Sequence, residues 1–313
     1  MRALVVVLLA GCALAACRAV VPTPEPPTEP PTESPTEAPP LEPLFSFVVI
    51  ADPHVAGTQA NEDRLQIAVD WVNENATDRD IELVLVLGDI GWSAGLGRSR
   101  EVLDELTPTW VPIIGDNVIQ SGGDEAWDAM FGDQLDALGD QLDGWARAPL
   151  PVSDDRIPGD AWFQNLRFEK DGVLFVGLDW NIRHLSGNLA EFGDFNDVPG
   201  GSWEWLLASL EGVQDRLDES VVLLSHIPML PGVFYVADRE AFAGLVQPIG
   251  DKVYGNFAGH LHIDHDEEFP EAGYHTHVTD ATFDDTLDVR LVTVLGNDVA
   301  RAYESLSLVL DAP

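Results

Sequence analysis

Seven side chains able to hold a cation or move a proton stand just after short apolar runs in this sequence. Asp52-Pro53-His54 follows FSFVVIA (Phe45–Ala51), Gly88-Asp89 follows LVLVL (Leu83–Leu87), and Gly115-Asp116-Asn117 follows Val111–Ile114. His226 comes after Val221–Leu224, and Gly259-His260-Leu261-His262 after Val253–Ala258. In an open α/β sheet, ligands gather beyond the carboxyl ends of the strands. Such ends would aim Asp52, His54, Asp89, Asn117, His226, His260 and His262 at one rim. Carboxylates mixed with imidazoles suit Zn, Fe or Mn, and the want of cysteine beside them argues against a structural zinc site. Side chains alternate along extended backbone, so D-x-H and H-x-H each turn two ligands to one side. Asp89 has two carboxylate oxygens and can bridge two ions. Two cations about 3.5–4 Å apart can clamp the attacking and leaving oxygens of a phosphoryl displacement. Glycines beside Asp89, Asn117 and His260 let the backbone turn sharply there.

The elements that must position these groups are legible as alternating textures. The runs named above, with Leu174–Leu178, read as buried strands. Asn61–Asn75 carries Leu65, Ala68, Val69 and Val72 at helical spacing, and Gly201–Leu217 reads as an amphipathic helix. His275–Thr279 and Val289–Val294 look like further strands. Alternation of strands and helices predicts an α/β sheet covered on both faces, and the strand-rich tail suggests a second sheet packed on the first. Asp124–Leu150 is helical in texture, acidic and interrupted by glycine.

Taken in order, these motifs resemble the calcineurin-like metallophosphoesterase superfamily, whose pattern runs D-x-H, G-D, G-N-H, an isolated H, then G-H-x-H. The resemblance covers roughly residues 45–295. It implies a four-layer αββα sandwich, two mixed β-sheets flanked by helices, around a two-metal site. Carried over residue by residue, one metal would take Asp52, His54, Asp89 and His262, and the other Asp89, Asn117, His226 and His260. A bridging hydroxide activated by the metals would attack phosphorus. The third motif departs from the family. With Asn117 as the ligand asparagine, Val118 replaces the histidine that protonates the leaving group; alternatively Asp116 is the ligand and Asn117 stands in the histidine's place. Either way no imidazole is supplied there, and general-acid help worth roughly 10²–10⁴-fold is missing or comes from elsewhere. Purple acid phosphatases, a branch of this superfamily, carry a metal-binding tyrosine three residues after the aspartate of G-D; this chain has Trp92, so no tyrosinate colour is expected.

Other residues are candidates in their own right. His184, after Leu178-Asp179-Trp180, would replace the missing acid or stand as an exposed loop histidine. Arg183, Arg98 and Arg100 are able to fork onto a phosphate or sit solvated at the surface. Trp92 and Trp180 would line a substrate pocket or pack. His275 and His277 alternate on a strand, where packing or exposure competes with chelation. His265 lies in an acidic turn with Asp264, Asp266, Glu267 and Glu268.

Composition bounds the partners. The 313 residues carry 54 Asp and Glu against 16 Lys and Arg, a formal net charge of −38, with Lys170 and Lys252 as the lysines. No basic stripe is present to neutralise a long nucleic acid or to dock on anionic headgroups. The two cysteines, Cys12 and Cys17, lie in MRALVVVLLAGCALAAC, which reads as a secretory signal at residues 1–17. Leu14-Ala15-Ala16-Cys17 resembles a bacterial lipobox, which predicts lipidation at Cys17; Leu9-Ala10-Gly11-Cys12 matches the same pattern but would leave a short apolar region. Residues 18–43 are rich in Pro, Thr and Glu and read as a tether able to reach about 80 Å at ~3.1 Å per residue. The domain proper is expected over residues 44–313. These readings converge on a lipid-anchored, cell-envelope metallophosphoesterase acting on a phosphomonoester or phosphodiester with two Mn, Fe or Zn ions. The alternatives are a phosphoesterase-like lipoprotein that binds without hydrolysis and a metal-dependent hydrolase of another bond.

Overall fold

The computed structural model describes residues 39–56, 59–183, 191–216, 219–269, 273–283, 286–298 and 300–311. The leader with Cys12 and Cys17, nearly all of the tether, and His184 lie outside the described residues. Chain order begins β1 (Glu42–Ile50), α1 (Gln59–Asn75), β2 (Ile81–Leu87), α2 (Ala94–Leu103), β3 (Thr109–Ile113), α3 (Asp116–Gln120) and α4 (Asp124–Ala137). It continues with β4 (Asp143–Arg147), β5 (Val152–Ser153), β6 (Asp160–Ala161), β7 (Leu166–Lys170), β8 (Val173–Leu178) and α5 (Ser202–Leu210). Last come β9 (Ser220–Ser225), α6 (Val236–Val246), β10 (Val253–Ala258), β11 (His265–Phe269), β12 (Tyr274–Val278), β13 (Leu287–Gly296) and β14 (Arg301–Leu310).

Two mixed sheets form the centre. The first runs β14-β13-β1-β2-β3, the second β11-β12-β10-β9-β8-β7-β4, and β5 and β6 make a small separate pair. Within the first, β1, β2 and β3 are parallel while β13 returns antiparallel to β1; within the second, β8, β9, β10 and β12 are parallel. Strand periodicity assigns the faces. Phe175, Val222, Leu224 and Phe257 belong to the same core as the first sheet, whereas Leu174, Val176, Val221 and Leu223 belong to a second core with Leu206 and Leu210 of α5 and Phe242 and Val246 of α6. Between the sheets, Phe47 meets Phe175 and Phe257 edge-on, with ring centroids 5.6 and 5.4 Å away. Leu65, Ala68, Val69 and Val72 bury one stripe of α1 in the first core, as the helical spacing predicts. The architecture is the four-layer αββα sandwich of the resemblance.

Three expectations change. The tail does not build the second sheet by itself: β13 and β14 return to the first sheet beside β1, and the second sheet is drawn largely from the middle of the chain. The Asp124–Leu150 stretch is helical only to Ala137 before the 3-10 turn Leu138–Asp140, then extends as β4 and pairs with β7. The helix expected over Gly201–Leu217 ends at Leu210.

Candidate metal centre

Both sheets deliver chemistry to one place. Asp52 and His54 follow β1, Asp89 follows β2, Asp116 opens α3 just after β3, His226 follows β9, and His260 and His262 follow β10. The strand-end loops are tied to one another. The His260 N–H donates to Asp52 Oδ2 at 2.8 Å, and the His54 N–H donates to the Asp89 carbonyl at 2.8 Å. Asp52, His54, Asp89, His260 and His262 all have positive φ, a region unfavourable for residues with a Cβ. Gly88 needs its freedom twice over: its φ is +81°, and a Cβ there would lie 2.3 Å from His226 Nδ1. A Cβ on Gly259 would lie 2.3 Å from Asp52 Oδ2.

The side chains form two clusters that share a centre. In one, Asp52 Oδ1 lies 3.7 Å from His54 Nε2 and 3.6 Å from His262 Nε2. In the other, Asp116 Oδ1 lies 3.0 Å from His226 Nε2 and 3.6 Å from His260 Nδ1. Asp89 Oδ2 stands between them, 3.4 Å from His54 Nε2 and 3.6 Å from His226 Nε2. Ligand atoms of Asp52, His54 and His262, of Asp116, His226 and His260, and of Asp52, Asp89 and His226 each fall within 4.8 Å of one another.

Those residues fit cations on two structural grounds. Asp52 Oδ1 and His54 Nε2 are buried without hydrogen-bond partners, although buried polar atoms are nearly always paired. His226 Nδ1 lies 3.0 Å from the Leu87 carbonyl, which accepts only, so Nδ1 carries a proton and Nε2, beside Asp89 and Asp116, is the nitrogen left to give up its proton and bind a cation. All donors are oxygen or imidazole nitrogen, a set suited to Mn, Fe or Zn.

Electrostatics describe the same strain in charge. Burial, together with Asp116 and Asp52 nearby, pushes the Asp89 carboxyl up, with His226 opposing. Burial also raises Asp52 and Asp116, but imidazole neighbours outweigh it: His262, His54 and His226 hold Asp52 below the usual carboxylate range, and His226 and His260 do the same for Asp116. Burial alone would lower His226, yet Asp89, Asp116 and Asp52 push it up to about 10. Without a cation, the cluster balances its carboxylates with imidazolium.

The remaining sequence candidates fall in different places. Asn117 lines the same cleft as Asp89 and Asp116. Its backbone N–H donates to Asp89 Oδ1 at 3.1 Å and its side-chain amide to Asp89 Oδ2, while Asp116 Oδ1 lies against His226 and His260. Val118 is buried in the first core. Trp92 lies beside His54, ring centroids 5.5 Å apart, and is 36% exposed. Arg183 does not reach the cleft: it binds Asp179 Oδ2 and the Asn181 carbonyl, each at 2.6 Å, and lines a separate cavity with Phe195 and Asp238. Arg98 is engaged by Glu62 and the Ala56 carbonyl, and Arg100 by the Met130 carbonyl and Asp104. Trp180 packs against Phe234 and Phe242. His277 stacks on Phe257 and bonds Asp266 at 2.7 Å, while His275 is exposed.

Several cleft residues were not anticipated. Gln120 donates to Asp116 from one helical turn later, a spacing readable in the sequence. Glu191, Phe192 and Val233 line the cleft, and Phe283 packs on His54 and His262 at 4.4 and 4.9 Å. No spacing rule marks these, because their loops meet the site only through the tertiary fold.

No protein-family model and no curated protein matches the sequence. Solved structures are similar in arrangement. The protein TT1561 of Thermus thermophilus is 10% identical, with 78% of this chain and 93% of that chain covered and a TM-score of 0.44. The phosphopantetheinyl hydrolase PptH from Mycobacterium tuberculosis is 13% identical, covering 76% and 90% with a TM-score of 0.40. The Thermus thermophilus sulfate thiohydrolase SoxB is 13% identical, covering 88% and 58% with a TM-score of 0.46.

Proposed function

We propose that this chain is a metal-dependent phosphoesterase whose two Asp/His clusters, joined at Asp89, hold a pair of divalent cations. The observation that carries the reading is the pair of orphaned buried atoms, Asp52 Oδ1 and His54 Nε2, in a set of three buried carboxylates, the buried His226 and three partly exposed imidazoles. Bound cations would supply Lewis acidity and lower the pKa of water. The chain's own groups orient that chemistry. Leu87 fixes the His226 tautomer, Gln120 holds Asp116, and the Asn117 amide positions Asp89 at the cleft floor.

Leaving-group protonation falls to His184 in this reading, since Asn117 cannot serve as an acid at neutral pH. His184→Ala is then expected to slow alkyl phosphoesters far more than p-nitrophenyl esters, whose leaving group departs as a stable anion. Display on the cell envelope through lipid on Cys17 is part of the same proposal, and Cys17→Ala should abolish labelling by radioactive palmitate.

The primary test uses the full chain loaded with Mn²⁺ and assayed on p-nitrophenyl phosphate and its bis ester, with metal content measured in parallel. Turnover that requires the metal supports the reading. Absence of both turnover and bound metal overturns it. Bound metal without turnover on a broad ester panel would select the second reading, ligand binding without hydrolysis, which the lack of an imidazole at Asn117 and Val118 favours.

A further inference from the structure

The cleft over the metal centre has a volume of about 410 Å³, within the range of small-molecule sites. Its lining is unusual in charge for a site that would hold a phosphate. Asp89, Asp116 and Glu191 face it, and no Lys or Arg does so among the described residues. Residues 184–190, next to Glu191 in the chain, contribute no Lys or Arg in sequence either. The nearest arginine in sequence, Arg183, is spent on Asp179 and the Asn181 carbonyl. Asp116, where the resembled motif has a neutral asparagine, adds one more negative charge. Asp52, Asp89 and Asp116 together offset most of the charge that two divalent cations bring, leaving about one positive charge for the ligand.

The rim is aromatic. Phe192 lines the cleft and stacks on Tyr235, ring centroids 6.2 Å apart at 24°, and Tyr235 is 39% exposed. Val233 and Leu261 continue the apolar lining. Beside His54 stand Phe283 and the half-exposed Trp92. Exposed aromatic faces beside a desolvated centre bind flat apolar groups better than hydroxylated ones.

Resting on the phosphoesterase reading, we infer that this cleft selects singly charged phosphodiesters carrying an aromatic group over doubly charged monoesters. A monoester's second negative charge finds no cationic side chain and meets Glu191 instead. A diester carries one charge, matched to the centre, and its second substituent extends onto Phe192 and Tyr235.

Direct binding tests this apart from turnover. The Mn²⁺-loaded full chain is titrated calorimetrically at pH 8 with diphenyl phosphate, dimethyl phosphate and phenyl phosphate, the last a dianion at that pH. Diphenyl phosphate should bind roughly tenfold tighter than dimethyl phosphate through the aromatic rim. It should also bind roughly tenfold tighter than phenyl phosphate through charge. Phe192→Ser should weaken diphenyl phosphate roughly tenfold more than dimethyl phosphate, and Tyr235→Ser, at an exposed position, reads the same subsite if the first variant folds poorly. Glu191→Lys should raise phenyl phosphate affinity relative to diphenyl phosphate by roughly tenfold. Equal affinities for the three ligands, or tighter binding of phenyl phosphate by the wild type, would overturn the inference. Faster hydrolysis of p-nitrophenyl phosphate than of its bis ester would also overturn it, leaving the phosphoesterase reading intact. The binding preference without any turnover would support it while counting against that reading.

Discussion

Asp52, His54, Asp89, His260 and His262 hold φ of +49°, +48°, +41°, +70° and +50°. Each such residue costs on the order of 1–3 kcal/mol and persists only where its surroundings over-determine it. Here the surroundings are strand ends tied by the His260–Asp52 and His54–Asp89 hydrogen bonds, and the outcome is convergence of several polar groups on one point. Asp116 reaches that point differently, from the first turn of α3, and this separates it from Asn117. Its Oδ1 stands 3.0 Å from His226 Nε2, whereas Asn117 donates its backbone and side-chain N–H groups to Asp89. The sequence left these two adjacent residues as alternatives, because both follow the same strand and only the fold shows that Asp116 meets the imidazoles and Asn117 meets Asp89. Asp116→Ala is therefore expected to retain about half the Mn²⁺ of the wild type after dialysis, and Asn117→Ala nearly all of it. Elemental analysis checks this, and the reverse pattern would return the ligand role to Asn117.

At the scale of elements, what was legible is what local patterning controls. Near-continuous apolar runs marked β1, β2, β8, β9 and β10, because strands buried on both faces need no polar positions. Less apolar strands escaped: β11 is HDEEF, β7 is LRFEK, and β14 (RAYESLSLVL) lies at a sheet edge with Glu304, Leu306 and Val309 exposed. Sheet membership escaped as well. The antiparallel pairing of β1 with β13 joins Phe47 to Val292 across most of the chain, and no window of sequence reports a contact so distant. The sheets must nonetheless meet over Phe47, the ring held between Phe175 and Phe257. Phe47→Ala is expected to destabilise the fold by about 3–5 kcal/mol, measured by urea unfolding, since the cavity lies where two rigid sheets cannot close on it. Phe47→Leu should cost clearly less. A loss below about 1 kcal/mol for the alanine variant would mean that the sheets do not depend on this contact.

Over the whole molecule the governing quantity is charge. Acidic residues outnumber basic ones 54 to 16, and among the described residues several arginines serve as internal ties. Arg147 binds Asp128 and Asp136, Arg290 is buried on Asp264 and Asp266, and Arg183 is buried on Asp179. The excess of carboxylates then repels itself across the surface, which favours solubility but opposes compactness. Ionic screening acts on such long-range repulsion before it acts on short buried pairs, because the Debye length falls from about 30 Å at 0.01 M to about 10 Å at 0.1 M. Melting temperature should accordingly rise as NaCl is increased from 0.01 to 0.2 M, by roughly 2–4 °C for each kcal/mol of repulsion relieved. A chain held together mainly by surface ion pairs would move the opposite way. The metal effect is separable from this one. Mn²⁺ at 100 times its Kd adds about 2.7 kcal/mol at fixed ionic strength and saturates, whereas the NaCl effect persists in excess EDTA. A melting temperature in EDTA that stays flat or falls with NaCl would show that the carboxylate excess does not limit the stability of this fold.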